Sequence, residues 1–151
     1  MSDRRIAVPK LEGVTVEENL SDGYWIDAVD IDGDGKPDII ASGLAEGNVV
    51  WYQNPGWKKR TIAKFDKPVA LHHADIDGDG NVDLVLSHDY GNCMFGCRPQ
   101  DGKISWLRNP GRDGLEGEWE RHPIGDLLAT HRLRFGHFTS ADKLQLMALP
   151  V

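Results

Sequence analysis

The sequence predicts an all-β fold made of β-propeller blades, about two and a half four-stranded blades in an incomplete ring, and three observations carry it. The acidic nonapeptide DIDGDGKPD at 30–38 returns as DIDGDGNVD at 75–83. Around each copy run short β-branched and aliphatic segments, punctuated by Gly, Pro and Asn. Helical periodicity is almost absent, and four strands per unit of about 45 to 60 residues is the pattern of a blade.

Residues 1–20 form an N-terminal segment in which 4–19, RRIAVPKLEGVTVEEN, is expected to lend an outer, ring-closing strand. The first blade, 21–66, places strands at 24–31 and at PDIIAS on either side of the acidic turn. NVVWYQN supplies its third strand and the Trp57-led WKKRTIA its fourth. Between them Asn-Pro-Gly must turn, because Pro fixes φ and lacks a donor while Gly tolerates positive φ. The second blade, 67–127, repeats the order with 69–76, VDLVLS, KISWLRN and WERHPI, and Trp106, Asn109 and Pro110 match Trp51, Asn54 and Pro55. It also carries an insertion, HDYGNCMFGCRPQDG. The segment 128–151 opens a third blade and is expected to be truncated within it.

The net charge of −7 argues against nucleic acid or an anionic membrane as partner, since both require basic surface. Eight of the 24 acidic residues lie in the two nonapeptides, so two divalent cations would take −7 to −3. No stretch approaches the roughly 18 apolar residues of a membrane span, and no signal peptide is visible. A cytoplasmic or otherwise intracellular location is the expectation. Cys93 and Cys97 are the two cysteines. Their CxxxC spacing with His88 nearby favours free thiols, with a disulfide or a loop zinc site as alternatives.

Asp at positions 1, 3, 5 and 9 of each nonapeptide, with Gly at 4 and 6, gathers carboxylates around one point in a tight bend. Hard oxygen donors in that number suit Ca²⁺, or Mg²⁺ less comfortably. An EF-hand would need an acidic residue at position 12 and flanking helices; position 12 is Ala41 or Leu86, and the flanks read as strands. The equivalent third segment, HFTSADKLQ, offers Asp142 as its one carboxylate, so no third ion of this kind is expected. The role of such ions is structural, because metal-binding free energy becomes folding free energy.

In a propeller the innermost strand of each blade lines the central channel, and here it is the strand entering the acidic loop. Aligning the units puts Asp27, His72 and Arg134 at one level and Tyr24, Val69 and His131 further out, while His73 faces opposite to His72. His137 aligns with Asp75. Four of the six histidines thus fall on inner strands, either as metal ligands or acid–base groups, or as satisfied polar residues. No phosphate loop, nucleophile elbow or His-Glu-x-x-His segment is present.

The repeat resembles the FG-GAP or VCBS family of β-propellers, in which DxDxDGxxD joins the first two strands of a blade. That resemblance implies one ion on the side chains of Asp30, Asp32, Asp34 and Asp38 with the carbonyl of Lys36. A second would lie on Asp75, Asp77, Asp79 and Asp83 with the carbonyl of Asn81. More specifically, DGYW (22–25), PVALHHADI (68–76), GKISWLRNPG (102–111) and HRLRFGHFT (131–139) together resemble the propeller region of the fungal aldos-2-ulose dehydratase/isomerase family. The cysteine-containing insertion has no identified counterpart there. This resemblance implies a seven-bladed propeller followed by cupin domains, and zinc-dependent dehydration of 1,5-anhydrofructose or glucosone. It also implies His72, His131 and His137 as catalytic candidates, ligand or base. The expected partners are a small carbohydrate and either further copies of the chain or the remainder of a longer propeller. Two rivals stand beside this reading: a non-catalytic calcium-binding module for ligand or protein contact, and an inactive part of an enzyme.

Overall fold

The structure, a computed structural model, describes residues 9–20 and 22–151, and its described residues form three antiparallel sheets. The first holds β1 (Gly23–Val29), β2 (Asp38–Gly43), β3 (Asn48–Gln53) and β4 (Lys58–Lys64) in chain order. The second repeats this with β5 (Ala70–Ala74), β6 (Asp83–His88), β7 (Lys103–Arg108) and β8 (Glu120–Asp126). β9 (Thr130–Gly136) and β10 (Gln145–Pro150) pair as the third. Each acidic nonapeptide joins the first two strands of its sheet, and each Asn-Pro-Gly segment lies between the third and fourth.

Strand periodicity decides what each face buries. In β3, Val49 and Trp51 join one cluster with Ile40, Leu71, Leu84, Leu86 and Leu107, which locks the first sheet onto the second. Val50 and Tyr52 point the other way, where Val16 and Leu20 of the N-terminal segment pack. In β6, Val85 turns from that seam towards Leu133 of β9 and ties the second sheet to the third. Each fully buried aliphatic side chain contributes roughly 1.5–3 kcal/mol.

Polar contacts close the seam between the first two sheets. Arg112 donates to the carbonyls of Asp32 (2.9 Å) and Gly33 (2.6 Å). The buried Asn109 side chain donates to the carbonyls of Ile31 (3.0 Å) and Val82 (2.9 Å), so one amide touches both acidic loops. Glu116 meets Arg60 and Lys58, whose side chains hold its carboxyl down to about 2.

One expectation lies partly outside the described residues, and one changes. The outer strand over 4–19 falls partly on 1–8, outside the described residues, and 9–20 contain no strand. Cys93 and Cys97 are joined as a disulfide rather than left as free thiols, because the insertion folds back and brings their Cα atoms to 4.2 Å.

Candidate functional site

Two sets of groups are candidates: the acidic loops and the inner-strand surface. In each loop the first Asp folds the turn by accepting backbone amides. Asp30 accepts from Asp34 (3.1 Å) and Gly35 (2.8 Å), and Asp75 from Gly78 (2.8 Å) and Gly80 (3.1 Å). The bend needs glycine: Gly33, Gly35, Gly78 and Gly80 have φ of 68°, 87°, 78° and 89°. The last Asp of each loop is buried at the start of the next strand. Asp38 accepts from the amides of Ile31 (3.1 Å) and Asn54 (2.7 Å), and Asp83 from those of Ile76 (3.0 Å) and Asn109 (2.8 Å).

Oxygen atoms of Asp30, Asp32 and Asp38 lie within 4.8 Å of one another, as do those of Asp75, Asp77 and Asp83. Burial raises the Asp38 and Asp83 carboxyls above the usual range, and the amides only partly offset this. A buried carboxylate crowded by two others fits a divalent cation. Asp34 and Asp79 stand outside these triplets. Asp34 accepts from Lys36 Nζ (2.7 Å), which lowers its carboxyl, while Asp79 pairs with Arg108 (3.0 Å). Lys36 and Asn81 occupy equivalent turn positions, their amides donated to Asp34 (2.8 Å) and Asp79 (2.9 Å). In the third segment Gln145 Oε1 accepts from the Thr139 amide at 2.8 Å, so a neutral side chain closes that loop.

On the inner strands, Asp27, His72 and Arg134 line one cleft of about 180 Å³ with Trp25, Ile26 and Leu71. Asp27 pairs with His73 rather than His72, at 2.9 Å between Oδ2 and Nδ1. The two adjacent imidazoles lie parallel, centroids 5.2 Å apart. Their closeness keeps His73 beside the cleft, which alternation alone would not foretell. Burial lowers the His72 imidazole pKa, with His73 and Arg134 adding to the effect, and its Nδ1 faces the Phe135 amide at 3.4 Å.

His131 lies on β9, where its Nε2 stands 2.7 Å from the Tyr24 hydroxyl, while His137 is exposed in the loop after β9. His72, His131 and His137 do not converge. Among the described residues no group of three metal-ligating side chains contains a histidine, so a three-ligand zinc centre does not fit this constellation. Cys93, Cys97 and Asp101 come together, but the two sulfurs are bonded to each other. A larger cavity of about 770 Å³ lies between the sheets around Lys64, Asp66, His88, Lys103 and Arg121, away from the inner-strand groups.

Comparison with known proteins agrees with this architecture. Residues 30–86 match the FG-GAP-like repeat, and residues 101–151 match the aldos-2-ulose dehydratase β-propeller domain. Aldos-2-ulose dehydratase of Phanerodontia chrysosporium is 34% identical over 160 residues, an alignment covering 96% of this chain. The chain spans 18% of the length of that relative.

Proposed function

Because this chain is an all-β, propeller-type polypeptide related to aldos-2-ulose dehydratase, we propose that it is the propeller part of a carbohydrate dehydratase acting on a 2-keto sugar, 1,5-anhydrofructose or glucosone. The observation that carries the reading is the Asp27–His73 pair beside His72 and Arg134 at one inner-strand cleft. Dehydration needs a base for the proton next to the ketone and donors for the oxygen that gains charge. With Asp27 holding His73 Nδ1–H, the Nε2 lone pair is left to take that proton. His72, kept neutral by burial with Nδ1 turned to the Phe135 amide, offers Nε2–H to the enolate oxygen, and Arg134 adds positive charge. The hydroxyl β to the ketone then leaves with a proton as water.

Ca²⁺ or Mg²⁺ on Asp30, Asp32 and Asp38, and on Asp75, Asp77 and Asp83, would neutralise the loops and pin both turns. Its contribution is to folding, and no step of the dehydration passes through it. The partners in this reading are a small carbohydrate and further blades, from a second copy or a longer chain.

The test is incubation of the chain with 1,5-anhydrofructose while the ultraviolet absorbance of the conjugated enone product is followed. Product is expected, with Asp27→Asn and His73→Ala each slowing it about 10²-fold, the lower range for a positioned acid–base group. Equal rates in the His73→Ala chain, or no product in any, would overturn the proposal. A second reading, a non-catalytic cation-binding module, draws on the acidic triplets being the best-assembled ligand groups among the described residues. It predicts unchanged carbohydrate binding when His72, His131 and His137 are all replaced by Ala.

A further inference from the structure

Tyr90 is only 6% exposed, yet its hydroxyl has no hydrogen-bond partner among the described residues. It stands on the insertion between β6 and β7, and its ring meets His131 edge-on with centroids 5.4 Å apart. Tyr24 of β1 reaches the same imidazole, its hydroxyl 2.7 Å from Nε2. On the other ring nitrogen, Nδ1, sits a guanidinium nitrogen of Arg132. With the ring proton on Nε2, Nε2–H donates to Tyr24 Oη. The Tyr24 hydroxyl therefore keeps its own proton free to donate. Two phenolic donors around one histidine, one of them buried and unpaired, call for an acceptor from outside the chain.

The insertion holds Tyr90 there. The Cys93–Cys97 disulfide closes its tip, and the buried Asp101 accepts from the Arg98 backbone (2.9 Å) and guanidinium (2.8 Å). Asp101 also packs against Gly91, whose φ of +65° suits glycine, and Lys67 donates to the Gly91 carbonyl at 3.3 Å. Tyr24 precedes Asp27 by three residues on β1, so this group lies about 10 Å along the strand from the Asp27–His73 pair.

We propose that Tyr24 and Tyr90 form a second subsite on the inner-strand surface, donating to the carbonyl oxygen of an oxidised sugar, with His131 and Arg132 as positioning residues for Tyr24. The identity of the ligand rests on the dehydratase reading, whereas the donor pair does not.

The chain has three tyrosines, and the third, Tyr52, contacts Glu17 and Lys59 on the outer face of the first sheet. Fluorine NMR of chain labelled with 3-fluorotyrosine therefore gives two reporters and an internal control. 1,5-Anhydrofructose is expected to shift the Tyr24 and Tyr90 resonances and leave Tyr52 in place, while its reduced form, 1,5-anhydroglucitol, binds more weakly. Tyr90→Phe should weaken ketone binding about tenfold without lowering the melting temperature, because the lost hydroxyl is unpaired in the fold. A Tyr90 that only fills space would show no loss of affinity. Shifts at both tyrosines without enone product uphold the subsite and remove the dehydratase reading. Product with both resonances unmoved does the reverse, and neither shift nor product overturns both.

Discussion

Asp27 shows at the scale of one residue what a strand position does to chemistry. Repeat alignment places it level with His72 and Arg134, and the three line one cleft, but its hydrogen bond goes to His73. The alignment carries position along a strand; ring packing and side-chain direction choose the partner. His88 makes a second residue-scale point. It is 7% exposed, its Nε2 pairs with Ser105 Oγ at 2.8 Å, and burial lowers its pKa, as it does that of His72. In the unfolded chain such a histidine titrates near ~6.5. A folded value below that means the unfolded state binds more protons, so this stability is present above about pH 6.5 and is lost as pH falls through the depressed folded value. Melting temperature is expected to drop between about pH 7.5 and 5, and His88→Gln to flatten part of the drop, with roughly 2–4 °C per kcal/mol at this size. A melting temperature that rises on acidification would contradict the assignment.

At the scale of the element, the acidic loop is a hairpin connection whose charge the fold cannot cancel by itself. Basic side chains attend it: Arg108 pairs with Asp77 (2.6 Å) and Asp79 (3.0 Å), while Gln53 at the equivalent strand end bonds Asp32. These contacts lie at the rim, and the buried Asp38 and Asp83 still have raised carboxyls. Chelation by EDTA is therefore expected to lower the melting temperature. A ligand at a hundred times its Kd contributes about 2.7 kcal/mol, or roughly 5–10 °C here. Asp30→Asn and Asp75→Asn should each remove one of two bound ions in elemental analysis and about half of that shift. A melting temperature indifferent to both calcium and EDTA would show that the loops hold their shape by hydrogen bonds alone. The insertion was less legible: CxxxC says two thiols are near in sequence, but only the fold-back of 89–102 brings the sulfurs together and sends Tyr90 to His131.

For the whole molecule, the question is what covers the outer faces. Ile26 of the first sheet is 69% exposed, and Leu144 at 42%, Met147 at 39% and Leu149 at 47% lie on or beside β10 of the third. Within the chain the same kinds of side chains are buried wherever two sheets face each other. A further blade, from a second copy or a longer polypeptide, would cover both faces. Sedimentation velocity of the purified chain is expected to show a particle heavier than the 16.8 kDa monomer. A monomer at every concentration would leave self-association out of the account.

The sequence by itself determined the period of the fold, the order of strands and the acidic loops, because strand alternation, glycine-permitted bends and paired nonapeptides are local properties written in consecutive residues. Tertiary structure alone decided which carboxylates converge, that Asp27 takes His73, that His72, His131 and His137 stay apart, and that Tyr90 arrives beside Tyr24. Those outcomes depend on distances between residues of different sheets. Such distances follow from how cores such as Trp51 against Leu84 and Val85 against Leu133 pack, and no run of neighbouring residues encodes them.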